Sequence, residues 1–201
     1  MCSWCWGFAP AVEAIAGRYP FPLDVIVGGL RPGPAAEPLD SLRPFLTKHW
    51  IEIEERTGQP FDLAGLNRQD WMYDTEMPAR AVVAVRTDVP DLTLASFVRI
   101  QRAFYAEAID VTDPTVYGEL LSDIGAGAAL DLFRSEESKR LAWEDFSLSR
   151  AWGIGGFPSL LVEHEDQLQI VTRGYVAPDT LLPGLDAWVQ ANTTHGSARL
   201  T

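Results

Sequence analysis

Cysteine is nearly absent from this 201-residue chain, which has only Cys2 and Cys5. So few thiols exclude a disulfide scaffold, which needs more cysteines at longer spacings. They also exclude a structural zinc site, which needs four ligands. Histidine is as scarce: His49, His164 and His195 are scattered, without paired metal-ligand spacing, so no metal is expected. No apolar run approaches the roughly 20 residues that cross a bilayer, so no membrane-spanning helix is expected either. The 16 Lys and Arg residues form no cluster, and the formal charge is −12. An acidic chain repels phosphate backbones, which argues against a nucleic-acid partner and leaves solubility as the plain consequence of the charge. The start Met1-Cys2-Ser3-Trp4 has neither a basic n-region nor a signal-type apolar stretch, and a cytoplasmic protein is expected on that basis.

What is present is an ordinary globular balance, 47% apolar and 22% charged residues, in a chain long enough for one sizeable core. Residues 6–18 carry Ala9, Val12, Ala16 and Tyr19 at spacings of three or four, which predicts a helix containing Pro10. Residues 22–28, Pro-Leu-Asp-Val-Ile-Val-Gly, read as a short buried strand. After the proline-rich loop Arg31–Pro38 the period becomes helical as far as Phe146 and beyond. Helices are expected over 39–57, 78–86, 92–109, 113–124, 128–134 and 136–152, with Pro78 and Asp113-Pro114 as first-turn signals. Strands return at 159–164 and 168–173 around a turn at Glu165-Asp166-Gln167, and a last helix spans 178–191. The polar tail 192–201 is expected to fray. The order helix, strand, helical block, hairpin, helix predicts an α/β unit at 1–30 and 153–191, interrupted by a helical subdomain at 31–152.

The chemistry lies at the beginning. Cys2-Ser3-Trp4-Cys5 opens the first helix, and a helix N-terminus presents unpaired amides and partial positive charge. Both stabilise a thiolate, and such cysteines have pKa values lowered to roughly 3.5–7.5, against about 8.5 for a free thiol. Two small buried residues are the bland alternative. A close pair with no other thiol in the chain points instead to dithiol–disulfide exchange, Cys2 attacking as the reachable outer sulfur and Cys5 resolving one turn inside. Trp4 is expected to stand exposed beside Cys2 as part of an apolar substrate platform.

Cys-Ser-Trp-Cys-Trp-Gly-Phe at 2–8 resembles the active-site signature of DsbA-like members of the thioredoxin superfamily, in the subgroup described as predicted disulfide isomerases. Pro10 resembles the proline of the thioredoxin active-site helix, and Gly153-Ile-Gly-Gly-Phe-Pro-Ser159 resembles the family's cis-proline loop. Gly28-Gly-Leu30 with the following proline-rich loop fits the same subgroup, and the likeness extends over about residues 1–190. It implies a thioredoxin-like fold with a helical insertion. Cys2 is implied as nucleophile, Cys5 as resolving cysteine, Pro158 as the cis-proline lying against them, and Phe157 as the residue whose backbone pairs with a bound substrate chain. In the family a β-strand precedes the cysteine motif; here only Met1 does, so that first strand is absent from this chain and the natural start is expected further upstream.

The expected function is thus thiol–disulfide oxidoreductase or isomerase, acting on protein or small-molecule thiols and disulfides. No cofactor is required beyond the dithiol, glutathione being the one small molecule left open. Two competitors remain. Glutathione transferases of the kappa type and 2-hydroxychromene-2-carboxylate isomerases resemble this architecture but usually carry serine at the nucleophile position. A non-enzymatic binding or chaperone module using the tryptophan-rich face is the other. Substrate, direction of electron flow and oligomeric state are not legible in the sequence.

Overall fold

The computed structural model describes residues 1–192 and 198–200. Helix α1, Ser3–Arg18, starts three residues earlier than the start expected at residue 6, because Cys2 caps it: the Cys2 backbone is extended and its sulfur accepts the Cys5 N–H. The helical block follows. Strand β1 (Glu37–Pro38) leads into α2 (Leu39–Thr57), which ends on the left-handed Gly58. Strand β2 (Met72–Tyr73) pairs with β1 antiparallel, a two-residue ladder too short to leave a periodic signal. Then come α3 (Glu76–Asp88), α4 (Thr93–Tyr105), α5 (Tyr117–Asp123), α6 (Leu130–Arg134) and α7 (Glu136–Ala151). Pro78 sits in the first turn of α3, and Asp113 caps a short 3₁₀ turn ahead of α5.

Strands β3 (Ser159–His164) and β4 (Gln167–Arg173) form an antiparallel hairpin. Its turn residues Glu165 and Asp166 both have positive φ, as tight two-residue hairpins require. Helix α8 (Pro178–Asn192) covers the hairpin. Strand β5 (Ala198–Leu200) pairs with β3 on its other edge, giving the order β4-β3-β5. The expectation of a frayed tail therefore fails at 198–200, where the β3 edge offers backbone partners; residues 193–197 and 201 lie outside the described residues. No described helix is long and apolar enough to cross a membrane. The architecture is a thioredoxin-like fold with a helical insertion.

The strand expected at 22–28 does not form. Its β-branched composition suits a buried strand, but a strand needs a neighbouring backbone, and only Leu23 makes an isolated bridge. Between this stretch and β3 lies an apolar cavity of about 190 Å3, lined by Leu23, Val25, Val27, Leu160 and Leu161 among others. The helical block supplies other partners. Arg86 on α3 donates to the Val25 carbonyl at 2.7 Å, and Asp145 on α7 accepts the Val27 N–H at 3.0 Å. Arg86 and Asp145 join each other through two hydrogen bonds of 2.7 and 2.8 Å. Buried backbone groups must find partners, and here an ion pair serves where a sheet does not.

Two apolar cores result, and α1 contributes to both. Trp6 and Ala9 enter the larger one, built on Trp50, Val83, Phe104, Tyr105, Phe133 and Phe146. Phe8, Ala11 and Ile15 enter the smaller one with Leu160, Val162, Leu181 and Leu185. At its far end α1 is tied to α8, where Arg18 donates to Asp186 at 2.8 Å and the Tyr19 hydroxyl donates to the same carboxylate at 2.8 Å.

Removing one member of a buried, hydrogen-bonded ion pair strands the other, and the Asp145 side chain is only 7% exposed. Asp145→Ala is expected to lower unfolding free energy by about 3 kcal/mol. Urea denaturation followed by far-ultraviolet circular dichroism measures this, and a loss well under 1 kcal/mol would contradict the role given to the pair.

Candidate active site

Helix α1 begins with orphan amides, and Cys2 answers them. Its Sγ accepts from the Cys5 N–H at 3.4 Å, while its carbonyl accepts the first full helical bond from the Trp6 N–H at 3.0 Å. Both cysteines are free thiols and half-buried. The hydrogen bond from the Cys5 side chain holds the Cys2 thiol below the ordinary thiol range, and the N–H groups of Cys5 and Trp4 add to it; burial opposes them. The same contact pushes Cys5 well above that range, reinforced by burial and by the negative charge on Cys2. Two thiols of one composition are thereby separated into an ionisable outer sulfur and a protonated inner one.

The loop ahead of β3 closes over this pair. The Phe157–Pro158 peptide is cis, and the Phe157 carbonyl lies 3.7 Å from Cys2 Sγ, in range to accept from the thiol. Pro158 is buried and Phe157 half-buried. Cys2, Cys5, Phe157 and Pro158 share the cavity that separates residues 23–29 from β3. Gly28 is what lets the Phe157 ring settle there: a Cβ at that position would stand 2.0 Å from two of its ring carbons. Thus four of the five site residues expected from the sequence converge.

The fifth, Trp4, points elsewhere. It is half-buried, and its indole N–H donates to His49 Nε2 at 2.8 Å. His49 accepts there only as the neutral ring with Nδ1 protonated, and Nδ1 lies 3.8 Å from Glu52. His49 stacks on the exposed Phe45, with ring centroids 4.8 Å apart. On Trp4's other side Tyr175 lies tilted at 5.5 Å, and the Arg56 guanidinium rides 5.3 Å from the centroids of both rings. Trp4 is therefore a fixed shelf rather than a free projecting ring. Sequence reasoning missed His49, Arg56 and Tyr175. His49 and Arg56, seven apart on α2, share a helix face, a signal that could have been read; Tyr175 arrives from the end of the hairpin and leaves no such trace. Among the described residues no cluster of His, Cys, Asp and Glu could hold a metal ion.

With this geometry in hand, comparison with known proteins becomes informative. No protein-family model matches the sequence, and no curated protein matches it significantly. Solved structures do. A protein of Nitrosomonas europaea, provisionally designated a protein disulfide isomerase, is 34% identical with a TM-score of 0.85, over 95% of this chain and 94% of that one. The cytosolic disulfide reductase DsbM of Pseudomonas aeruginosa is 25% identical with a TM-score of 0.80, over 95% of each chain. The same reductase solved with GSH gives 25% and 0.78, over 94% of this chain and 95% of that one.

The separation of the two thiols predicts selective chemistry. Only the thiolate alkylates, so the rate at Cys2 should rise with pH through a midpoint below that of an ordinary thiol, while Cys5 stays unreactive over the same range. Brief iodoacetamide treatment with peptide mass spectrometry tests this; preferential labelling of Cys5 would reverse the assignment.

Proposed function

Because the chain belongs to the DsbA-like thiol–disulfide oxidoreductases of the thioredoxin superfamily, we propose that Cys2 and Cys5 form its redox couple, Cys2 as nucleophile and Cys5 as resolving thiol. The observation that carries this is the Cys2 sulfur at the start of α1, accepting the Cys5 N–H while its own pKa is lowered and that of Cys5 is raised. The Cys2 thiolate attacks one sulfur of a substrate disulfide, forming a mixed disulfide and releasing the other sulfur as a thiolate. Cys5 then loses its proton and attacks the Cys2 sulfur. The second substrate thiol leaves, and a Cys2–Cys5 disulfide remains. Two electrons pass from the dithiol to the substrate; two external thiols return them by the reverse exchange, the first forming a mixed disulfide with the protein and the second releasing it as the external disulfide.

The Phe157 carbonyl beside Cys2 supports a role in lining up an extended substrate by backbone pairing, as in strand addition. Pro158 closes the pocket wall behind it. Trp4, held by His49 and Tyr175, takes no part in this wall. For direction we favour disulfide reduction in a reducing cytosolic setting, with glutathione as the small thiol partner. The support is the likeness to DsbM, described as a cytosolic disulfide reductase and solved with GSH. No cofactor beyond the dithiol enters this scheme.

Cys2→Ser is expected to abolish reduction of small disulfides and of insulin. Cys5→Ser should still attack but stall, so that incubation with oxidised glutathione leaves one glutathionyl group per chain on Cys2, read by intact mass. Undiminished turnover by Cys5→Ser would sink the dithiol mechanism in favour of single-thiol glutathione chemistry.

A further inference from the structure

Side chains close-pack in protein interiors, and a space much larger than a water molecule is uncommon there. The cavity of about 190 Å3 beside the dithiol is such a space, and it is open to solvent rather than sealed. Val12 of α1, Val25, Leu94 and Phe97 of α4, and Leu160 and Leu161 of β3 contribute to its walls, and Cys2 and Cys5 both line it. Apolar protein cavities of roughly 150 Å3 take up benzene. Charge is almost missing from the lining: among the described residues Asp24 is its one charged side chain. That does not suit glutathione, whose two carboxylates and ammonium group need charged or well-hydrated partners.

One polar side chain in the lining is uncommitted. Gln101 on α4 is 4% exposed, and its Nε2 is buried without a hydrogen-bond partner. The neighbouring hydroxyls are engaged: Thr75 Oγ1 accepts the Arg31 N–H at 3.0 Å, Ser149 Oγ donates to the Phe146 carbonyl at 3.1 Å, and Ser159 Oγ donates to the Gly156 carbonyl at 2.9 Å. A buried donor without an acceptor is costly, and a carbonyl oxygen brought in by a ligand relieves that cost. An apolar pocket with a few polar groups is the usual form of a small-molecule site. We propose that this cavity receives the apolar body of a small disulfide or thiol, an aryl or compact alkyl group close to the sulfur, and that Gln101 meets a carbonyl on that group. This rests on the dithiol reading of Cys2 and Cys5, and it leaves glutathione outside the cavity, as the thiol that returns the electrons.

The first measurement needs no sulfur chemistry. Isothermal titration calorimetry with acetophenone, a ring bearing a carbonyl and no thiol, should give saturable one-to-one binding to the wild-type chain. Val12→Phe and Val25→Phe fill the cavity from α1 and from the 22–28 stretch, at half-buried positions, so that one serves if the other folds poorly. Each should weaken acetophenone by about ten-fold or more, the worth of a buried ring. Gln101→Leu exchanges an unpartnered amide for an apolar group of similar size, and the affinity for acetophenone should fall about two- to ten-fold relative to ethylbenzene, the range of one hydrogen bond. The second measurement is turnover: kcat/KM for dibenzyl disulfide relative to bis(2-hydroxyethyl) disulfide should fall in the filled variants, mainly through KM. No saturable binding to the wild type, or undiminished binding to the filled variants, overturns the inference whatever the turnover shows. An acetophenone-to-ethylbenzene ratio unchanged in Gln101→Leu overturns the part given to Gln101. Acetophenone binding that the filled variants lose, with no turnover of either disulfide, keeps the cavity as a ligand site and removes the redox reading instead.

Discussion

A helix cannot begin without leaving its first amides unpaired, and in this protein the side chain that meets them is a sulfur. Most helices use a hydroxyl or a carboxylate for that position. Placing Cys2 there makes the structural requirement and the chemical one the same contact, since the N–H that needs an acceptor also stabilises the thiolate. Much else in the molecule keeps that contact in place. Trp6 and Phe8, just inside the helix, are anchored in different cores. The Gly153–Pro158 loop delivers the Phe157 carbonyl to the same sulfur, and Gly28 leaves room for the ring that comes with it.

The helical block does more than cover this arrangement. The stretch 22–28 forms the wall opposite the hairpin and has no ladder of its own. Its backbone is held by Arg86 and Asp145, residues from two helices far along the chain. The block thus takes over hydrogen bonding that a sheet would otherwise supply. Such a pair is costly to desolvate and is tolerated because each charge is also bonded to the backbone or to the other.

The sequence made the helices and the hairpin legible because their periods are carried by runs of residues: of the stripe Leu42, Phe45, Leu46, Trp50 and Ile53 expected on α2 all but the exposed Phe45 are buried, and Leu160, Leu161 and Val162 form the buried centre of β3. It failed at Val25-Ile26-Val27, where composition says strand and the missing quantity is a partner, which no local pattern contains. The two-residue strands at 37–38 and 72–73 were too short for any period to register. At the site, the dithiol and the Phe157-Pro158 loop could be read as motifs with a mechanism. The surroundings of Trp4 could not. Its place beside Cys2 suggested exposure, whereas His49 and Arg56 from α2 and Tyr175 from the segment after β4 pack around it. Contacts between distant segments are where one-dimensional reading stops.

Because α1 is shared, the seam between the two apolar cores runs through the helix that carries the two cysteines. A fluctuation that loosened the first turn enough to part Cys2 from Cys5 would have to withdraw Trp6 from one hydrophobic environment or Phe8 from the other, so local opening at the dithiol draws on the cohesion of both lobes. The insertion is therefore not a removable ornament on a smaller redox module. Excising it would leave Ala9 and Trp6 facing water and the carbonyl of Val25 without a donor. Helix α1 would then be a one-sided element with half its adhesive surface bare.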